Sequence, residues 1–206
     1  MLDHDTTARL ADVLAEGRRI GAIGPLPFSE QVAQALGYLA SGAIPYGARV
    51  ADLGSGAGLP ALPLALVRPD TSWVLIDAWT RRTDVLRRAV RALGLDARVE
   101  IVAGRVEDVA RTAARGTCQA VVARAFGPPA VTLECAAPLL VVGGTVCCSR
   151  RDDDPDWPPG VLAELGLAEP LRWNVGRFAY GSARLVAEPS ARFPRRAGVP
   201  ERRPLF

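Results

Sequence analysis

The stretch VADLGSGAGLP, Val50 to Pro60, ends an apolar run in an acid and then places glycine at every second position. Asp52, Gly54, Gly56 and Gly58 give the pattern D-x-G-x-G-x-G. Glycines after a strand let a turn tighten and let a ligand lie against bare backbone. The dinucleotide fingerprint G-x-G-x-x-G is not met, because Leu59 stands where its third glycine would be. A phosphate-binding P-loop needs G-K-[ST], and the chain contains no lysine. An acid, Asp77, follows 19 residues after Gly58, at the end of the next apolar run. That is where a carboxylate holds ribose hydroxyls. Ribose recognition without a pyrophosphate grip points to S-adenosylmethionine; the alternative is a tight structural turn.

The elements that must position these residues alternate along the chain. RVADL (49–53), WVLID (73–77), RVEIV (98–102), QAVVA (119–123) and TVCCS (145–149) read as strands. Helical stretches lie between them, near 59–67, 80–93, 107–114 and 129–140. The strands are apolar almost throughout, as strands covered on both faces must be. Alternation implies a parallel sheet with right-handed crossovers. After the proline-rich loop RDDDPDWPPG (151–160) comes a short helix near 160–165. LRWNVGRF and SARLVAEP then flank Ala179–Gly181, which reads as the turn of a hairpin. An antiparallel closing pair on a parallel sheet is the methyltransferase version of the doubly wound α/β fold. Residues 1–47 read as a helical lead-in, 48–190 as the cofactor-binding domain and 191–206 as a basic tail. Helix 80–93 carries Arg81, Arg82, Arg87, Arg88 and Arg91, with Asp84 placed to pair with Arg88 at i, i+4. Its arginines form either a solvated face or an RNA contact.

Composition bounds the function classes. A chain of 206 residues is one domain with a sizeable core. No run approaches the roughly 20 apolar residues of a membrane span. The stretch MLDHDTTARL is acidic and polar where a signal peptide is basic and then apolar, so a cytoplasmic location is expected. Cys118, Cys135, Cys147 and Cys148 form no C-x-x-C pair, and the one histidine is His4, so no metal is expected. Cys147 and Cys148, as strand neighbours, should face opposite ways and stay reduced. The net charge is +3, and all 25 basic residues are arginine. The last sixteen residues, ARFPRRAGVPERRPLF, hold five arginines against one glutamate. Charge alone leaves this tail equally a phosphate-binding arm or a solvated end.

The stretch VADLGSGAGLPALPLALVRPD resembles the first motif of class I methyltransferases, and specifically that of the RsmG (GidB) family, which methylates N7 of a guanine in small-subunit rRNA. RRTDVLRR, GRVEDV, ARAF, PLLVVGG and the tail FPRRAGVPERRPL extend the resemblance over about residues 43–206. It implies a Rossmann-like class I methyltransferase sheet that binds S-adenosylmethionine. By resemblance, Gly54 and Leu59 line the methionine and sulfonium side, Asp77 holds the ribose, and Val106 and Glu107 flank the adenine. Arg124 lies at the mouth between cofactor and RNA, and Arg150 stands where the family carries a lysine; both are the expected catalytic positions. Arg195, Arg196, Arg202 and Arg203 are expected to hold RNA phosphates. The implied partner is 16S rRNA or the small ribosomal subunit, met by a monomer without membrane or metal.

Methyl transfer from a sulfonium is an in-line displacement governed by placement of the reactants. Guanine N7 presents a lone pair and needs no deprotonation. That suits a chain with no central histidine and no lysine. The place after the fourth strand reads ARAFGPP, where Phe126 stands either to stack on a base or to fill the core. The chain departs from the family before the glycine motif: Gln34 falls near the family's histidine, and Gly37 and Tyr38 fall near its Asp-Ser. Ala123 replaces a Ser or Thr. The alternatives to the rRNA enzyme are a diverged methyltransferase acting on another RNA or a small molecule, and a non-catalytic cofactor-binding relative.

Overall fold

Seven strands form one sheet in the order β3-β2-β1-β4-β5-β7-β6. The computed structural model describes residues 3–151 and 153–206. Met1 and Leu2 of the polar N-terminal stretch and Asp152 of the proline-rich loop lie outside the described residues. β1 (Arg49–Leu53), β2 (Ser72–Asp77), β3 (Val99–Ala103), β4 (Cys118–Ala123) and β5 (Leu140–Arg150) run parallel. β7 (Phe178–Leu185) is inserted antiparallel between β5 and β6 (Leu167–Val175). This is the doubly wound, mostly parallel sheet with an antiparallel C-terminal hairpin.

Alternate strand residues feed two cores. Val50, Trp73, Leu75, Val122 and Cys147 face one layer. Ala51, Val74, Ile76, Val121 and Cys148 face the other. The two adjacent cysteines therefore point to opposite sides, as strand geometry requires, and all four cysteines are free thiols. The first core is covered by α1 (His4–Arg19), α2 (Phe28–Leu36), α3 (Ala61–Val67) and α4 (Thr80–Ala92). The second is covered by α5 (Val106–Val109), α6 (Pro129–Ala136) and α7 (Pro159–Glu164), with α8 (Val199–Arg202) beyond them.

The N-terminal helices are built into this frame. Asp3 caps α1 by accepting from the Thr6 N–H at 2.8 Å, satisfying a donor that the helix leaves free. Leu10, Val13 and Leu14 turn inward. Gly17 lets α1 touch the glycine loop: a Cβ there would lie 2.3 Å from the Ala57 Cβ. Tyr38, in the 3-10 turn Gly37–Ser41, is fully buried. Its hydroxyl donates to the Ala123 carbonyl at 2.7 Å and accepts from the Ser149 N–H at 3.0 Å, tying the ends of β4 and β5 together. Tyr180 stacks on Trp173 and donates to the Gln34 carbonyl at 2.7 Å. Gly37 is the only size that fits there, since a Cβ would meet the Tyr180 hydroxyl at 2.1 Å.

Three local expectations are corrected. The hairpin turns at Gly176 and Arg177, not over Ala179–Gly181, because Val175 pairs with Phe178 and Gly176 adopts the left-handed φ of +56°. The helix expected near 107–114 is only the single turn α5. Asp84 pairs with Arg87 at 2.8 Å, which leaves Arg88 to reach across to Glu16 of α1.

The Tyr38 hydroxyl is fully buried and bridges β4 to β5. Tyr38→Phe leaves the buried Ala123 carbonyl and the part-buried Ser149 N–H short of a partner. The expected loss of unfolding free energy is about 1–3 kcal/mol. Urea denaturation followed by circular dichroism measures it, and an unchanged midpoint would contradict the bridging role.

Candidate functional site

The C-terminal ends of β1 and β2 are joined by one carboxylate. Asp77 Oδ2 accepts from the Gly56 N–H and Oδ1 from the Trp79 N–H, each at 2.8 Å. Gly54, Gly56 and Gly58 all take positive φ (64°, 58° and 99°), which a side chain would resist. The loop they form passes under Phe126, whose ring would lie 2.8 Å from a Cβ on Gly54. Ligand crevices in such sheets lie at this edge.

A cleft of about 360 Å³ opens there, within the usual size range for a small-molecule site. Gly54, Asp77, Val106 and Glu107, all expected at a cofactor site, line it. Trp79, Arg82, Phe126 and Glu201 line it as well. Trp79 is 67% exposed, with the Arg82 guanidinium 5.7 Å from its ring centre. Gly56, Gly58 and Leu59 lie behind the surface; Leu59 is buried in the first core.

Asp52 is fully buried beneath the loop, and neither carboxylate oxygen has a hydrogen-bond partner among the described residues. Burial pushes its carboxyl well above the ordinary carboxylate range, and the Asp77 charge adds to this, while Ser55 and the Arg124 guanidinium oppose it. A buried charge without a partner is costly, so the site favours a cationic group beside it. Arg124 is half-buried; desolvation lowers its pKa, and Tyr38 and Asp52 oppose that shift.

A second cavity, about 660 Å³, adjoins the cleft. Ala125, Gly127 and Pro128 line both. Gln34, Arg124, Arg150 and the final residue Phe206 also line the second. Ala125 adopts a φ of +52°, a strained conformation for a residue with a side chain and one that collects at functional sites. Arg150 donates to the carbonyls of Asp154 and Pro155 at 2.9 and 2.6 Å and packs over Trp157, so part of its guanidinium holds the loop that borders this cavity.

Two expected roles change. Glu107 turns its carboxylate onto Arg105 and the Gly198 N–H, at 2.9 and 2.8 Å. Burial would raise its pKa, but the Arg105 guanidinium and the Gly198 N–H outweigh that and hold it below the ordinary value. Arg195 does not extend from a free arm. Its Nε and Nη2 reach the fully buried Glu134 at 2.8 and 2.6 Å. The Arg195 backbone N–H also donates to Glu134, at 2.8 Å, and without the guanidinium that buried carboxylate would lose its charge partner, so this arginine is anchored inward. Phe193 beside it is buried, while Arg196, Arg202 and Arg203 remain exposed. Trp79, Glu134, Glu201 and Phe206 were not singled out from the sequence. Trp79 had a usable signal, an aromatic two residues after the β2 acid; the others depend on long-range contacts.

Among the described residues, no group of three or more His, Cys, Asp or Glu is placed to hold a metal ion. No helix among them is long and apolar enough to cross a membrane.

A family model described as rRNA small subunit methyltransferase G matches residues 33–154. A ribosomal RNA small subunit methyltransferase G from Mycolicibacterium vanbaalenii is 40% identical over 126 residues, covering 60% of this chain and 55% of the relative. Another, from Desulfitobacterium hafniense, is 33% identical over 169 residues, covering 77% of this chain and 70% of the relative. The chain thus spans 55% and 65% of the length of two relatives at 40% identity, from M. vanbaalenii and Rubrobacter xylanophilus. Among solved structures, an S-adenosylmethionine-dependent methyltransferase from Aquifex aeolicus superposes with a TM-score of 0.60 at 18% identity, over 84% of this chain and 98% of that one. An O-methyltransferase from Bacillus cereus, in complex with S-adenosylhomocysteine, gives 0.60 at 17% identity over 86% and 90%. At such identities these structures speak for the fold alone.

The inward and outward arginines of the tail should separate in a stability measurement. Arg195→Ala removes the charge partner of the buried Glu134, leaving it the residue-195 backbone N–H, and is expected to cost about 3–5 kcal/mol. Arg196→Ala, on the surface, should change stability by no more than about 0.5 kcal/mol. Chemical denaturation of the two variants checks this, and equal effects would refute the assignment.

Proposed function

Because the chain belongs to the rRNA small subunit methyltransferase G family, we propose that it transfers a methyl group from S-adenosylmethionine to N7 of a guanine in 16S rRNA. The observation that carries this reading is the pair of adjoining cavities at the C-terminal edge of the sheet, separated by the shared wall Ala125, Gly127 and Pro128. A reaction between two bound molecules needs two such sites side by side.

The residues present fit the cofactor. Behind the cleft lining, beneath the glycine loop, the Asp52 carboxylate has no hydrogen-bond partner among the described residues and offers a counter-charge for the ammonium of its methionine part. Gly54 offers bare backbone in the same loop. Asp77 already accepts two N–H groups, and its oxygens retain lone pairs for ribose hydroxyls. Val106 and Trp79 supply apolar surface for a purine, and Glu107 stands at its rim. When bound, S-adenosylmethionine supplies a methyl group on an electrophilic sulfonium.

The chain's own contribution is placement. Guanine N7 carries its lone pair already, so no side chain has to remove a proton. Arg124, lining the second cavity with its charge partly desolvated, is the candidate to orient the base at the wall between the two sites. Arg150 holds the loop beside it. Arg196, Arg202 and Arg203 offer charge to RNA phosphates.

The decisive assay uses labelled S-adenosylmethionine and 30S subunits lacking this modification. Label should appear at guanine N7. Tight cofactor binding without transfer to such subunits would reject the reading. RNA affinity should also fall steeply with salt, and the slope should shrink by about 0.7 for each phosphate-contacting arginine removed. Arg196→Ala, Arg202→Ala and Arg203→Ala together test this, and an unchanged slope would remove the tail from the RNA contact.

A further inference from the structure

The second cavity contains a polar group that the assignments above leave unused. Gln34 lines it from α2. Its amide oxygen is buried and has no hydrogen-bond partner among the described residues. The backbone at this position is held firmly, because the Tyr180 hydroxyl donates to the Gln34 carbonyl. Tyr180 is itself pinned by stacking on Trp173, whose indole N–H donates to the Gly37 carbonyl at 3.1 Å. The main chain that carries this side chain is therefore firmly supported, and the side-chain acceptor is left idle among the described residues.

Resting on the methyltransferase reading above, we propose that Gln34 recognises the acceptor base, its side-chain oxygen accepting hydrogen bonds from the N1–H and 2-amino group of guanine. An idle buried acceptor calls for a donor, and buried polar groups are otherwise paired. The Watson–Crick edge of guanine presents two adjacent donors. Adenine and cytosine place an acceptor at the ring nitrogen of that edge, and uracil offers one N–H alone. An unpaired base is read on this edge when it is splayed out of single-stranded RNA. Base-modifying enzymes hold an extruded base in the same way. The methyl-accepting N7 lies on the opposite edge of the purine, so a base held by Gln34 keeps N7 free. Arg124 lines the same cavity but does not compete with Gln34 for this role, since it carries donors only and cannot accept from the guanine N–H groups.

The test compares guanosine and inosine monophosphates, which differ only in the 2-amino group. Each is titrated calorimetrically into the full chain saturated with S-adenosylhomocysteine. The unaltered protein should prefer guanosine monophosphate by about tenfold or more. Gln34→Met keeps the length of the side chain, removes the acceptor and should abolish the preference while leaving S-adenosylhomocysteine affinity unchanged. Gln34→Glu retains an acceptor and should retain the preference. No preference in the unaltered protein, or a preference that survives Gln34→Met, overturns the proposal. A protein that shows the Gln34-dependent preference but transfers no methyl group to 30S subunits supports this role and refutes the rRNA reading, so the two failures are distinct.

Discussion

The site depends on the Asp77 carboxylate. One oxygen holds the N–H of Gly56 in the loop after β1, and the other holds the N–H of Trp79 in the loop after β2. Two loops from different strands are thereby fixed to one buried side chain. The Gly56 N–H can be offered only because Gly56 adopts a left-handed conformation. That turn places Ala57 against Gly17, which locks α1 onto the loop. The same turn lays Gly54 under Phe126, in the segment after β4. A single charge therefore sets the positions of the loops after β1 and β2, and through them the packing of α1 and Phe126. Such pre-positioning is what the proposed methyl transfer would require, since placement of the two reactants governs it.

The wall between the two cavities shows where the fold accepts strain. Ala125 has a positive φ, a conformation that costs on the order of 1–3 kcal/mol and persists only when its surroundings impose it. Two residues before it, Ala123 is held through its carbonyl by Tyr38, and Tyr38 also holds Ser149 at the end of β5. Phe126, on the other side, is fixed over Gly54. With both flanks tied, Ala125 absorbs the change of direction. The segment then borders both cavities at once.

Much of this was legible in the sequence, and the boundary has a physical cause. Strands buried on both faces are continuous apolar runs, so β1, β2 and β4 fall within a residue of their expected limits. The glycine loop and Asp77 were legible because a ligand crevice imposes spacing along a short stretch of chain. The hairpin was misplaced because Gly181 looks like a turn residue, whereas Arg150 and Trp157 require its lack of a side chain. Asp84 and Arg88 have the right helical spacing, but Glu16 competes from a different helix. Tyr38, Gly37 and Gln34 were visible as departures from a familiar pattern, but their meaning was not. They act through Ala123, Ser149, Trp173 and Tyr180, more than eighty residues away in the chain. No local pattern carries such a pairing.

The tail shows why net charge is a poor guide to what a segment touches. Its five arginines read alike in sequence. In the fold, Arg195 neutralises Glu134 inside the protein, and Arg192 pairs with Glu164. Arg111 and Arg115, from outside the tail, hold its backbone by donating to the carbonyls of Pro194 and Phe193 at 2.5 and 2.7 Å. Gly198 donates to Glu107, and Glu201 reaches the first cavity while Phe206 reaches the second. The segment is thus a wall of both cavities before it is a source of positive charge. Removing Arg195 deprives the buried Glu134 of its charge partner. Arg196, Arg202 and Arg203, by contrast, are exposed and line neither cavity.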